Sequence, residues 1–413
     1  MIEKNIMLEK EGGVKVFEGG ITSPQGFHAG GIHIGLKKKR LDLGWIYSEI
    51  PANSAAVYTV NLFQAAPLLV TKESIGKEGC LQAVLVNSGN ANACTGEEGL
   101  RDAYEMRDSF AEFLHLPPHR VAVSSTGVIG EPLPMEKIRN GIRQISRIIK
   151  EGDATDFEQA ILTTDTTRKR FSVEVAIDGK KVVIGGAAKG SGMIHPNMAT
   201  MLAFLTTDAA VEQQALQLAL RQVTDETFNM ITVDGDMSTN DMVLIMANGL
   251  AANRPLHPEH PEWSLFLAAL KEVAKNLAKQ IARDGEGATK LIEVHVTGAS
   301  DEETAKAVGK AIVGSSLVKT AVYGADANWG RIIAAIGYSR SPIDPNLVSI
   351  RLGSLTLFQN GKKAVYSEEE ATEELKKETV RIEVLLGGGK GEATAWGCDL
   401  TYDYVRINAS YRT

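Results

Sequence analysis

Between residues 81 and 150 the sequence alternates between two hydrophobic periods, and this alternation limits the fold more than any other feature. LQAVLVN (81–87) and RVAVSST (120–126) are short continuous apolar runs that end in polar residues. LRDAYEMRDSFAEFL (100–114) and MEKIRNGIRQISRIIK (135–150) carry apolar residues at helical spacing. Short apolar runs read as buried strands, and amphipathic helices are what cover them. FSVEVAIDGKKVVIGGAAKG (171–190) alternates with period two across Asp178-Gly179, a hairpin signature.

The second half continues in the same way. Helices are predicted at 211–226, 263–283, 301–312 and 367–377, and strands at 201–206, 242–248, 290–297, 347–352 and 379–385. ANRPLHPEHPEW (252–263) is a proline-rich connection. LTTD occurs at 162–165 and again at 205–208, but no longer period accompanies it, so a repeat architecture is rejected. Strands and helices interleave without a strict βαβ rhythm. The predicted class is α/β (α+β), in layers, and 413 residues are enough for two or three domains.

Charge and composition exclude several functions. A net charge of −7 points to neither nucleic acid nor an anionic membrane. The one basic cluster, Lys37-Lys38-Lys39-Arg40, reads as a solvated loop or strand end, with a phosphate or RNA contact as the competing reading. No apolar run reaches 18 residues, so no membrane span is expected, and MIEKNIMLEKEGG shows no secretory signal. Three cysteines without a CxxC pair fit a reducing cytosol.

Metal and phosphate motifs are also missing. The eight histidines include no HExxH pair, and His257 and His260 read as members of a surface loop, so no metal site is assigned. GGGKGE (387–392) lacks the phosphate-loop pattern and reads as a glycine turn between two strands.

Hydroxyl residues concentrate in SSTG (124–127), TTDTT (163–167), the Ala199-Thr200 joint and RINASYRT (406–413). A threonine hydroxyl is a weak nucleophile without an adjacent base. A threonine that begins a chain carries one, its own α-amine, with a pKa of about 7.7–8.0. An internal threonine has an amide there instead. Thr200 can therefore serve as a nucleophile without a side-chain base only after the 199–200 peptide is cut. Ala199 offers little hindrance to attack by Thr200 Oγ on its carbonyl in an N-to-O acyl shift. The competing reading of Ala199-Thr200 is an ordinary strand entry. His195, five residues upstream, reads as a loop residue, because a free amine makes a histidine base unnecessary.

KGSGMIHPNMATMLAFLTTDA (189–209) resembles the cleavage-site region of the ornithine acetyltransferase family, the bifunctional glutamate N-acetyltransferases of arginine biosynthesis. VLVNSGNANACTG (84–96), SSTGVIGEPLPM (124–135), TTDT (163–166), NMITVDGDMSTND (229–241), GEGATK (285–290), YGADANWGRI (323–332) and DLTYDYVRINASYRT (399–413) resemble that family in the same order, over nearly the whole chain. The resemblance implies self-cleavage into an N-terminal chain, 1–199, and a C-terminal chain, 200–413, that begins with the nucleophile Thr200. It implies a two-lobed α/β structure of the N-terminal-nucleophile type whose chains stay intertwined, assembled as two alpha and two beta chains.

The implied reaction transfers acetyl from N2-acetylornithine to L-glutamate by a ping-pong cycle through Thr200. Many members also use acetyl-CoA as donor. Thr126 (hydroxyl) and Gly127 (backbone N–H) are the implied oxyanion donors. Thr163, Lys189, Thr200, Glu286, Asn408 and Thr413 are the implied substrate-binding residues, Lys189 for the α-carboxylate and Glu286 for an ammonium. No cofactor, metal, nucleic acid or membrane partner is implied, and the setting is cytoplasmic. The nearest rival is a related self-cleaving aminopeptidase or amidase, which would pass the acyl group to water. A kinase built around 387–392 and a non-catalytic binding oligomer are more distant rivals.

Overall fold

The computed structural model describes residues 8–10, 13–195 and 201–410. They form two compact units, each with its own sheet. The first comprises residues 1–190, 197–225 and 237–277, and the second 191–196, 226–236 and 278–413, less the residues outside the description.

The first unit is built on a ten-stranded sheet. Its order runs Leu8–Lys10, Val14–Phe17, Lys169–Ile177, Lys180–Lys189, Leu202–Thr207, Met242–Ala247, Leu43–Tyr58, Cys80–Asn90, Val121–Val128, and Phe27–Ile32 pairs with Leu43–Tyr58 off this path. Most pairs are antiparallel. Leu202–Thr207 with Met242–Ala247, and Cys80–Asn90 with Val121–Val128, are parallel. The predicted hairpin is present: Asp178 (φ 51°) and Gly179 (φ 68°) are both left-handed, as a two-residue type I′ turn requires. It joins Lys169–Ile177 to Lys180–Lys189.

Lys180–Lys189 then pairs antiparallel with Leu202–Thr207, Lys189 opposite Leu202. Residues on either side of 199–200 are thus neighbours in one sheet. Strands from before and after that joint also interleave further on, because Leu202–Thr207 and Met242–Ala247 lie between Lys180–Lys189 and Leu43–Tyr58. The unit boundaries differ from the 1–199 and 200–413 division that the resemblance implies.

Helices Gly96–Leu114 and Met135–Ile145 bury Met106, Phe110, Ile138 and Ile142 against Leu85, Val121 and Val123. A second core on the sheet centres on Phe157, Phe204, Leu202 and Leu244. The helix predicted to reach residue 150 stops at Ile145 and passes into turns, where the Trp45 indole donates to the Ile149 carbonyl at 3.1 Å.

The second unit has a seven-stranded sheet ordered Ile231–Thr232, Gly391–Cys398, Leu291–Ala299, Thr379–Leu385, Ser349–Leu352, Leu355–Gln359, Lys362–Lys363. Helix Glu302–Gly314, capped by the Asp301 carboxylate on Thr304 N at 2.8 Å, buries Ala305, Val308 and Ile312 on this sheet. GGGKGE connects Thr379–Leu385 to Gly391–Cys398, as the glycine-turn reading expects. A Cβ on Gly389 or Gly391 would strike the backbone of Ala299 or Asp301, so the glycines serve close packing. No helix among the described residues is long and apolar enough to cross a membrane.

Candidate active site

In the first unit, Thr126 and Gly127 lie near the end of Val121–Val128, opposite Ser88 and Gly89 of the parallel strand. Gly127 has φ 137°, and a Cβ there would lie on the Gly89 carbonyl and Asn90 nitrogen. Two backbones meet so closely that only glycine fits. Thr126 is buried, and among the described residues no partner engages its hydroxyl. The Asn240 side-chain amide fixes these loops by donating to the Ala91 and Ser125 carbonyls at 2.6 and 2.8 Å. Thr239 in turn donates to Asn240 Oδ1 at 2.6 Å.

Lys189 ends the strand Lys180–Lys189, and its ammonium lies 3.9 Å from the Asp165 carboxylate. Asp165 is 1% exposed. It accepts from Lys169 Nζ at 2.7 Å, Gly190 N at 2.6 Å and Thr163 N at 3.0 Å. Burial alone would raise its pKa, but Lys169, Lys189 and these hydrogen bonds hold it well below the usual carboxylate range. One carboxylate therefore brings the candidates Thr163 and Lys189 together. Asp241, also buried and within electrostatic reach of Lys189, behaves oppositely: desolvation pushes its pKa well up.

In the second unit, Glu286 and Asn408 meet, the amide of Asn408 donating to Glu286 Oε2 at 2.6 Å. Asn408 sits on helix Tyr402–Ala409, and Glu286 N donates to the Ser191 carbonyl at 3.0 Å. The Glu286 carboxylate lies directly over Gly192, where a Cβ would collide with it. Asp234 fixes the loop that follows, accepting from Met193 N at 2.7 Å, Ile194 N at 2.9 Å and Tyr404 OH at 3.2 Å. Met193 is left-handed, at φ 56°. His195 Nδ1 is 3.0 Å from Thr232 Oγ1. Burial, with help from nearby Lys310 and against Asp234, lowers the His195 pKa to about 4.

Ala199, Thr200 and Thr413 lie outside the described residues. Among the described residues no group of three or more His, Cys, Asp or Glu could hold a metal ion. His257 Nδ1 lies 2.8 Å from the Glu259 carboxylate and His260 Nε2 lies 3.3 Å from the Asp178 carboxylate, contacts that tie the loop down. Sequence reasoning did not single out Asp165, Asp234 or Asn240. All three fall within the quoted segments TTDT and VDGDMSTND.

A profile of the ArgJ family matches residues 28–413. The arginine biosynthesis bifunctional protein ArgJ of Oceanobacillus iheyensis is 60% identical over 395 residues, 96% of this chain and 97% of that protein. The ArgJ protein of Halalkalibacterium halodurans is 59% identical over 410 residues, 99% of this chain and 100% of that protein. Among solved structures, the ArgJ protein of Bacillus halodurans matches with 58% identity and a TM-score of 0.49, covering 50% of this chain and 97% of that one. The ornithine acetyltransferase of Mycobacterium tuberculosis complexed with ornithine matches with 35% identity and a TM-score of 0.41, covering 45% of this chain and 100% of that one.

These relatives place the chain among the acetyltransferases of arginine biosynthesis, enzymes of layered α/β architecture. It belongs to the ArgJ family.

Proposed function

We propose that the chain cuts its own 199–200 peptide bond and then moves acetyl from N2-acetylornithine to L-glutamate through an ester on Thr200. The hydroxyl attacks the acetyl carbonyl while the new α-amine takes its proton. The C–N bond to ornithine breaks, ornithine leaves with that proton, and acetyl-Thr200 remains. The glutamate amine then attacks the ester, and N-acetylglutamate leaves as the hydroxyl is restored.

The tetrahedral oxyanion takes hydrogen bonds from Gly127 N–H and the Thr126 hydroxyl, each contributing about 2.7–4 kcal/mol. Lys189 binds the α-carboxylate that both amino acids share, with Thr163 beside it. Glu286, Asn408 and Thr413 meet the variable end of the substrate. The two products of the cut act as an alpha and a beta chain, assembled two and two, in the cytoplasm.

The observation that best supports this reading is the strand-end lysine, Lys189, held by a fully enclosed carboxylate and paired in register with Leu202, two residues past the proposed nucleophile. Intact mass under denaturing conditions with N-terminal sequencing tests the cut: two fragments, the second starting TMLAFL, are expected, and Thr200→Ala should stay whole and inactive. One uncut species with full transfer activity refutes the mechanism. Acetyl recovered on glutamate, rather than as free acetate, separates transfer from an amidase acting on water.

A further inference from the structure

In the first unit, strand Leu43–Tyr58 is open along one side at its C-terminal end. Cys80–Asn90 covers that side only as far as Asn53, which faces Cys80. On the other side Met242–Ala247 continues to Tyr58, which faces Met242. Met242 N donates to the Met201 carbonyl and Thr59 N to the Asp241 carbonyl, so Met242 and Tyr58 form a non-hydrogen-bonded pair. The N–H and C=O of Tyr58 therefore point off the sheet edge, as do those of Ala56 and Ser54.

Open edges invite pairing, and chains usually cover them. Here the cover stops one position short. Ser54 N donates to the Gly79 carbonyl at 2.8 Å, and the side-chain amides of Gln213 and Gln217 donate to the Ser54 and Ala56 carbonyls at 3.4 and 3.2 Å. These glutamines lie one turn apart on helix Gln213–Glu226. Four helical residues advance about 6 Å and two strand residues about 6.6 Å, so helix and edge keep step. The next pair in the series is Arg221 with Tyr58. Among the described residues no hydrogen bond engages the Tyr58 N–H or C=O, and no hydrogen bond or ion pair engages Arg221.

A cleft of about 680 Å³ opens at this position, lined by residues of helices Ala66–Glu78 and Gln213–Glu226. Lys72 lies in its wall, with its ammonium 4.9 Å above the Tyr58 ring and bonded to Gln64 Oε1. Burial lowers the Lys72 pKa, and no carboxylate opposes that shift. The one carboxylate in the lining, Glu78, is engaged by His119 Nε2 at 2.9 Å and Arg120 Nε at 3.4 Å. Two cations thus flank an unpaired stretch of backbone. Just beyond it Val60, Leu62 and Phe63 expose apolar side chains.

We propose that this edge binds the free C-terminus of an extended peptide, which pairs antiparallel with Tyr58–Val60 and places its terminal carboxylate between Arg221 and Lys72. Strand addition to an open edge and capture of a terminal carboxylate are both recurring modes of peptide recognition. Gln217 closes the ladder at Ala56, so a strand laid on this edge has to stop there; a chain end does so, whereas an internal segment has to turn away. A guanidinium and an ammonium at that stop select a carboxylate end over an amine end. Val60, Leu62 and Phe63 suit apolar residues upstream of it. The site shares no residue with the proposed acetyl-transfer machinery.

Fluorescence anisotropy with the full-length protein tests the site, using a hexapeptide of alternating threonine and valine, labelled with fluorescein at its N-terminus and free at its C-terminus. Saturable binding is expected. Amidation of the C-terminus, N-methylation of the last two peptide amides, and Arg221→Gln should each weaken it by about tenfold or more. Lys180→Gln, outside the cleft, should leave it unchanged. Arg221→Gln removes no contact among the described residues, so it should lose affinity without a lower melting temperature. No binding, or binding undiminished by amidation or by Arg221→Gln, overturns the carboxylate site. Binding indifferent to N-methylation reports charge attraction alone and overturns the strand pairing. Displacement by succinate as readily as by unlabelled peptide overturns the peptide in favour of a small carboxylate.

Discussion

Asp165 and Lys189 face each other at 3.9 Å, and of the two it is the carboxylate that is completely enclosed. Asp165→Asn keeps the shape but removes the carboxylate that the fully buried Lys169 ammonium contacts at 2.7 Å. Breaking a buried pair in this way typically costs about 3–5 kcal/mol, read as a lowered urea midpoint. The same variant should raise KM for both amino acids, because Lys189 loses the group that aims it.

The pH dependence of stability follows from the same carboxylate. Its pKa is depressed in the folded state, so the unfolded state binds the proton first as pH falls. The stabilisation is complete above the ordinary Asp range of about 3.9 and is lost as pH falls below it. Asp165→Asn should flatten that acid limb in urea titrations taken at a series of pH values.

His195 gives the reverse case for a base. Its folded pKa of about 4 lies below the usual 6.5, so the unfolded state takes up protons first between those values. Its burial costs no folding stability above pH 6.5, and a penalty grows as pH falls toward 4. The imidazole is neutral throughout the working range. His195→Gln should therefore not move the inflection near pH 8 that the proposed Thr200 amine would give the rate profile.

Gly127→Ala places a methyl on the backbone of Gly89 and Asn90 at a φ of 137°. Strain of this kind is worth about 1–3 kcal/mol, and the displaced N–H should slow turnover by about 100-fold or more. Thr126→Ala should keep the melting temperature and still lose rate. Together they separate a donor from a merely tight turn.

Glu286 and Asn408 should act as a unit, since Asn408 donates to the carboxylate at 2.6 Å. Glu286→Gln and Asn408→Ala should each raise KM for N2-acetylornithine. Their double-mutant cycle should show a coupling of about 0.5–3 kcal/mol in kcat/KM. Strict additivity would mean that the hydrogen bond has no part in binding.

The strand and helix alternation was legible because burial imposes it locally: the runs at 81–87 and 100–114 became strand Cys80–Asn90 and helix Gly96–Leu114. Strand Leu43–Tyr58 was not legible, because Pro51 interrupts its pattern; the sheet absorbs the proline where the register slips between Tyr47 and Ala52. Helix Tyr402–Ala409 buries none of its residues, so it left no apolar stripe to read. Thr163 and Lys189 are candidates by resemblance alone, and the group that joins them, Asp165, is visible only in three dimensions. An aspartate in a run of threonines reads as a polar loop until its partners converge from 25 residues away.

The interleaved strands of the large sheet have a consequence for refolding. If the 199–200 bond is cut, Leu202–Thr207 and Met242–Ala247 become a wedge from one polypeptide held between strands of another. Before the cut, denaturation can be reversed by a single molecule on its own. Afterwards two species must find each other, so recovery from urea becomes concentration-dependent and neither fragment can complete the sheet alone. Maturation would then act as a ratchet: the chain gets one opportunity to assemble as a monomolecular object.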